Sequence, residues 1–136
     1  MGGCIVVAVS TVLVVDDDSD TRSLLRLILE TEGFAVVEAA HGQDALAIIR
    51  PNPLPDVVVT DLKMPVLDGL ALIEQLRSEP STANIPIVVV SASNEARALE
   101  SSTRVEAVIR KPFDATAFAE CIRGVAGSST RSAPAA

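Results

Sequence analysis

Apolar residues fall along this chain in two kinds of run. Residues 11–15, 57–60 and 87–90 are short, almost continuous apolar blocks, each ending at polar residues. A continuous rather than alternating block is the mark of a strand buried on both faces, as in a parallel sheet. Between the blocks, apolar residues recur at helical spacing. Leu24, Leu25, Ile28 and Leu29 mark a first helix, and Ala45, Leu46 and Ile49 a second. Leu70, Ile73 and Leu76 mark a third, and residues 94–102 form a weaker one anchored by Ala96 and Leu99. Phe118, Cys121, Ile122 and Val125 share one face of a fifth. Residues 35–38 and 105–109 read as two further strands, so the third strand covers residues 56–60 and five strands alternate with five helices. Asp18 or Ser19 and Asp114 are placed to cap the helices that follow them. Gly33 ends the first helix, His41-Gly42 makes a turn, and the proline-rich stretch 51–55 stops the second helix.

Regular strand–helix alternation predicts an α/β fold: a doubly wound parallel sheet with helices on both faces and right-handed crossovers. In such sheets ligands bind beyond the carboxyl ends of the strands. The residues there form one set: Asp16 and Asp17 after the first strand, Asp61 after the third, Ser91 after the fourth and Lys111 after the fifth.

Composition narrows the picture. The 136 residues fit one domain, and a 49% hydrophobic content supplies an aliphatic core with three Phe and no Trp or Tyr. A formal charge of −7 argues against a nucleic-acid surface. Cys4 and Cys121 are far apart and suggest neither a disulfide framework nor a zinc site. Residues 1–10 are apolar but lack the positive flank of a signal peptide and the length of a membrane span. They are expected to be an N-terminal extension, with the domain proper over 11–126 and a disordered tail over 127–136. The expected location is the cytoplasm.

Each strand-end residue has an ordinary reading when taken alone. Asp61 is a turn residue, the acidic run from Asp16 a solvated helix start, Ser91 a small strand-end residue and Lys111 a surface lysine. Together, in order on one sheet edge, they point to chemistry. Three converging carboxylates repel one another unless a cation sits among them. Mg²⁺ or Mn²⁺ suits such an oxygen set. Asp61 is then a candidate nucleophile toward a phosphoryl group, with Lys111 and Ser91 to stabilise the charge on its oxygens. The chain has no glycine-rich nucleotide loop. A calcium loop counted from Asp16 fails, because its sixth and twelfth positions hold Thr21 and Leu27 instead of Gly and Glu. His41, the single histidine, reads as a surface turn residue.

The segments VLVVDDD, VVVTDLKMPVLDGL, IVVVSAS and IRKPF, in this order and spacing, resemble the receiver domain of two-component response regulators of the chemotaxis-regulator type. The resemblance covers residues 11–126. It implies a three-layer, flavodoxin-like (βα)5 sandwich with a parallel sheet of order 2-1-3-4-5. It implies that Asp61 is the phosphoacceptor for a sensor histidine kinase or phosphotransfer protein. Asp16, Asp17, Asp61 and the backbone carbonyl of Lys63 would hold the metal; of the acidic pair, Asp17 would bind it directly and Asp16 largely through water. Ser91 matches the hydroxyl that bonds the phosphoryl oxygen, and Lys111 the lysine that pairs with the acceptor. The Lys111–Pro112 bond is expected to be cis. Lys63 and Ser93 match positions that tune phosphoryl lifetime. The chain departs from the family at Val108, where an aromatic that changes rotamer is usual. A small aliphatic side chain cannot swing in that way. The segment from Ser91 to Lys111 is short and its helix has few apolar anchors, so it should be the least stable part of the domain. It also matches the family's output face, so readout is expected through the fourth helix, in an α4–β5–α5 output region.

The resemblance thus implies a signalling domain, monomeric or weakly dimeric, that acts on an unknown protein target. It would contact neither nucleic acid nor membrane and would not be a turnover enzyme. Two alternatives remain at this point. One is a receiver-like interaction module that is never phosphorylated. The other is a phosphatase of the haloacid-dehalogenase type, with Asp16 and Asp18 in the catalytic roles. Asp20 stands where that family carries Thr or Val, and no cap region is present.

Overall fold

The computed structural model describes residues 10–51, 53–64, 66–92, 94, 96–99 and 104–132, with side chains through 126. Five strands and five helices alternate: β1 (Thr11–Val15), α1 (Ser19–Thr31), β2 (Ala35–Ala39), α2 (Gly42–Ile49), β3 (Val57–Thr60), α3 (Gly69–Ser78), β4 (Ile87–Ser91), α4 (Ala96–Leu99), β5 (Ala107–Arg110) and α5 (Ala115–Ser132). All strand pairs are parallel and the sheet order is β2-β1-β3-β4-β5. This is the expected doubly wound, flavodoxin-like architecture.

The continuous apolar runs divide between two cores because successive side chains leave a strand on opposite faces. Leu13, Val15, Val58 and Val89 pack under α2, α3 and α4, against Leu46, Leu72, Leu76 and Ala96. Val12, Val14, Val59 and Val88 pack on the other face, against Leu25 and Leu29 of α1 and Phe118 and Ile122 of α5. Burying one such aliphatic side chain contributes roughly 1.5–3 kcal/mol, so the two layers carry the stability. The ring of Phe113 leans on Phe118 at a centroid distance of 5.5 Å.

Several boundaries differ from the expected ones. Leu24 is 49% exposed and Leu70 36%, whereas Leu72 is fully buried. Helical spacing alone cannot place the edge of a buried stripe, since neighbours at one and three positions fit equally well. Gly42 begins α2 instead of ending a turn, and α5 runs to Ser132, into the stretch expected to be disordered. The helix continues through Gly124 and Gly127, each costing about 0.5–1 kcal/mol relative to Ala. Of the fourth helix only Ala96–Leu99 falls among the described residues. Cys4, Ser93, most of the N-terminal extension and residues 133–136 lie outside them. Among the described residues no helix is long and apolar enough to cross a membrane.

Candidate functional site

Sheet register builds the site. Val15 pairs with Thr60, so β1 and β3 end level and the next residues, Asp16 and Asp61, start their loops side by side. The amide of Asp61 donates to the Val15 carbonyl at 3.0 Å, and that of Asp16 to Ala39 at 3.1 Å. At the next pair Ser91 lies opposite Arg110, and the Lys111 amide donates to the Ser91 carbonyl at 3.1 Å. The β1/β3 boundary is where the chain order of the sheet reverses, the usual ligand position in doubly wound folds. The expected strand-end set therefore lies on one edge.

The loops after the strands are set by local caps. Asp18 caps α1, accepting from Asp20 N, and its hydroxyl partner Thr21 donates to it at 2.7 Å. Asp68 caps α3 by accepting from Ala71 N. Gly69 N donates to the Leu62 carbonyl at 2.9 Å, which folds the loop after Asp61 back onto its strand. Gly42 N donates to the Leu67 carbonyl at 2.9 Å and ties the same loop to α2. The Lys111–Pro112 peptide is cis, as the family resemblance implied.

Lys111 Nζ sits between two carboxylates, 3.1 Å from Asp61 Oδ2 and 3.3 Å from Asp16 Oδ2. The remaining oxygens are also engaged. Asp16 Oδ1 accepts from the Asp18 amide at 2.9 Å, and Asp61 Oδ1 from the Leu62 amide at 2.6 Å. Burial pushes the Asp16 carboxyl above the usual carboxylate range, opposed by the Asp18 amide and the Lys111 charge. Burial also pulls the Lys111 ammonium down. Its hydrogen bond to Asp61 and the two carboxylate charges outweigh this, and its pKa stays above the ordinary lysine value. The two carboxylates thus favour the charged form of Lys111, while burial disfavours the charged form of Asp16.

Asp16, Asp17 and Asp61 each offer a carboxylate oxygen, and these oxygens lie within 4.8 Å of one another. Asp16 is buried, Asp61 half-buried and Asp17 exposed. One buried and two accessible oxygen donors suit a hard divalent cation that keeps part of its water shell. Lys63 is exposed, two residues past Asp61 on the same loop. Ser91 is fully buried at the end of β4. Val108 lies in register with Val89 and packs against the α2–α3–α4 core.

Spacing gave no sign of one contributor. Arg22, on α1, donates from Nη1 to the backbone carbonyl of Asp16 at 2.7 Å. A solvated helix-face arginine and a loop-clamping one look alike in a sequence.

Comparisons with known proteins agree with this geometry. The family model described as "Response regulator receiver domain" matches residues 12–123. The response regulator GtcR of Aneurinibacillus migulanus is 35% identical over 106 residues, which is 76% of this chain and 42% of that protein. The sensor histidine kinase TmoS of Ectopseudomonas mendocina is 38% identical over 106 residues, 76% of this chain and 11% of that one. The chain thus spans less than half of either relative. The crystal structure of a response regulator receiver protein from Pseudomonas putida has a TM-score of 0.79 at 30% identity, covering 88% of this chain and 99% of that one. With its sheet order, its strand-end acidic cluster and a family match over most of its length, this chain belongs to the response regulator receiver domain family.

Proposed function

We propose that this domain receives a phosphoryl group on Asp61 and passes the signal on by protein contact. A carboxylate oxygen of Asp61 attacks the phosphorus of a phosphohistidine on a sensor histidine kinase or phosphotransfer protein. An O–P bond forms and the P–N bond breaks. The electron pair stays on the imidazole nitrogen, which takes a proton from solvent. Lys111 offsets negative charge on the phosphoryl oxygens, and the Ser91 hydroxyl donates a hydrogen bond to one of them. A divalent cation held by Asp16, Asp17, Asp61 and the Lys63 carbonyl supplies further charge neutralisation when bound. The chain takes one phosphoryl per cycle and does not turn over a separate substrate.

The observation that carries this reading is the ammonium of Lys111 between Asp16 and Asp61 at 3.3 and 3.1 Å. It stands where charge would develop, beside a carboxylate at the rim of the sheet. Burial argues against Asp16 as a phosphatase nucleophile, since the Asp16 side chain is 2% exposed and the Asp61 side chain 13%. Output passes through the α4–β5–α5 region, with α4 rather than an aromatic at Val108 as the moving part.

The test is intact mass after incubation with acetyl phosphate and Mg²⁺. The expected result is a stoichiometric phosphoryl adduct that is absent in Asp61→Asn. An unmodified wild-type chain, or an adduct that survives Asp61→Asn, overturns the reading. Amide exchange across α4 and β5, compared with and without the adduct, checks the output region. Unchanged exchange there rejects α4 as the moving part.

A further inference from the structure

In a regular strand, consecutive side chains leave on opposite faces. Asp16 and Asp17 are consecutive, yet both carboxylates join Asp61 in one cluster. The backbone must therefore turn at the peptide between them, and the carbonyl of that peptide belongs to Asp16. Arg22 donates to this carbonyl at 2.7 Å from Nη1. Its Nε donates to Glu38 Oε1 at 3.0 Å, and the other oxygen of Glu38 takes Arg26 Nη1 at 2.6 Å. The Arg22 side chain is only 19% exposed, so the guanidinium is held from both sides. On the far side of the same residue, the Asp16 amide is tied to Ala39 of β2. Glu38 and Ala39 both lie on β2, so the edge strand fixes the acidic turn twice, once directly and once through Arg22.

We propose that Arg22, braced by Glu38, is a positioning residue that clamps the Asp16–Asp17 peptide and so sets the affinity of the acidic cluster for a divalent cation. This rests on the reading that the cluster binds such a cation. Groups that orient metal ligands without touching the metal commonly contribute about tenfold or more in affinity. The sign is diagnostic. Removing a nearby positive charge would, by electrostatics alone, tighten cation binding. Loss of a clamp weakens it.

The experiment is calorimetric titration of the full chain with MgCl2 alone, for wild type, Arg22→Met, Arg22→Lys and Asp17→Asn. Arg22→Met keeps the apolar stem and removes the donors. Its Kd for Mg²⁺ should rise about tenfold. Arg22→Lys, which keeps the charge but only one donating nitrogen in place of the two that Arg22 uses, should fall between it and wild type. With acetyl phosphate as donor, the Mg²⁺ concentration for half-maximal phosphorylation should rise in Arg22→Met, while the rate at saturating Mg²⁺ stays close to wild type. Unchanged or tighter Mg²⁺ binding in Arg22→Met overturns the clamp alone. A wild type that shows no Mg²⁺ binding, or binding that Asp17→Asn leaves intact, overturns the cation reading and the clamp with it. If Arg22→Met does not fold, Arg22→Lys decides: wild-type affinity rejects the clamp, and weakened affinity supports it.

Discussion

Gly69 stands against Asp61 so closely that a Cβ added to it would lie 2.1 Å from the Asp61 carbonyl oxygen and 2.7 Å from the Leu62 Cα. Both atoms are backbone, so neither can rotate away. The requirement at Gly69 is for space, because its amide must reach the Leu62 carbonyl to close the loop that follows Asp61. Gly69→Ala should therefore cost more than about 2 kcal/mol, at the upper end of overpacking effects. It should also slow acetyl phosphate labelling of Asp61 at least tenfold, since the loop carrying the acceptor must shift. Gly42→Ala meets the Leu67 carbonyl oxygen at 2.6 Å and should show the same pattern less severely. Thermal melts and labelling rates check both. Wild-type behaviour in Gly69→Ala would mean that the loop is more yielding than its contacts indicate.

Lys111 competes with any divalent cation for the same carboxylates. Its ammonium hydrogen-bonds Asp16 and Asp61, two of the three candidate ligands. Lys111→Met should lower the melting temperature in metal-free buffer, because it strips the cation from a half-buried acidic cluster. It should also tighten Mg²⁺ binding by about fivefold, as a like charge is removed. Phosphoryl uptake should nonetheless fall by more than tenfold. Tighter binding with slower labelling separates a charge that serves the transferred group from one that serves only the fold. Equal losses in both would point to simple disorder of the site.

The hydrogen bond from Arg26 holds the Glu38 carboxyl below its usual range, against the opposing effect of burial, with Arg22 adding to the shift. A carboxylate whose folded pKa is depressed stabilises the fold above its unfolded pKa, near 4.3, and loses that contribution as pH falls through the folded value. Glu38→Gln should then be less stable than wild type by about 1 kcal/mol at pH 7, a figure already reduced for solvent screening. The two melting curves should converge below about pH 4. A gap that is constant with pH would assign the effect to packing instead.

The fold was legible in the sequence because its strands are buried on both faces. TVLVV, VVVT and IVVV cannot be mistaken for amphipathic helices, and each stops at a residue of the site. Asp18 and Asp114 announce their caps, and both accept the expected amides. Less legible were features that depend on contacts across the chain. The Arg22 bond to Asp16 links α1 to the end of β1, and nothing local distinguishes Arg22 from Arg26. The exposure of Leu24 and the burial of Leu72 are set by which face of each helix the rest of the chain covers, and spacing alone does not fix that face. Lys111 was identified as part of a set, but its placement between Asp16 and Asp61 depends on a pairing across 95 and 50 residues.

Val66 shows one further feature that spacing does not reveal. Its φ is +69°, in the left-handed region, and its side chain is 76% exposed. For a β-branched residue this conformation is an outlier, costing roughly 1–2 kcal/mol through contact of Cβ with the following carbonyl. The exposed side chain recovers little of that by burial. Val66→Gly removes the clash but adds backbone freedom to the unfolded chain, worth about 0.5–1 kcal/mol in the opposite direction. The difference favours glycine, so the variant should be more stable by about 0.5–1 kcal/mol, a rise of about 2–4 °C in melting temperature. Val66→Ala relieves only the β-branching and should gain less than half as much. If both variants melt below wild type, the Val66 side chain supports the loop after Asp61 by contacts that outweigh its strain.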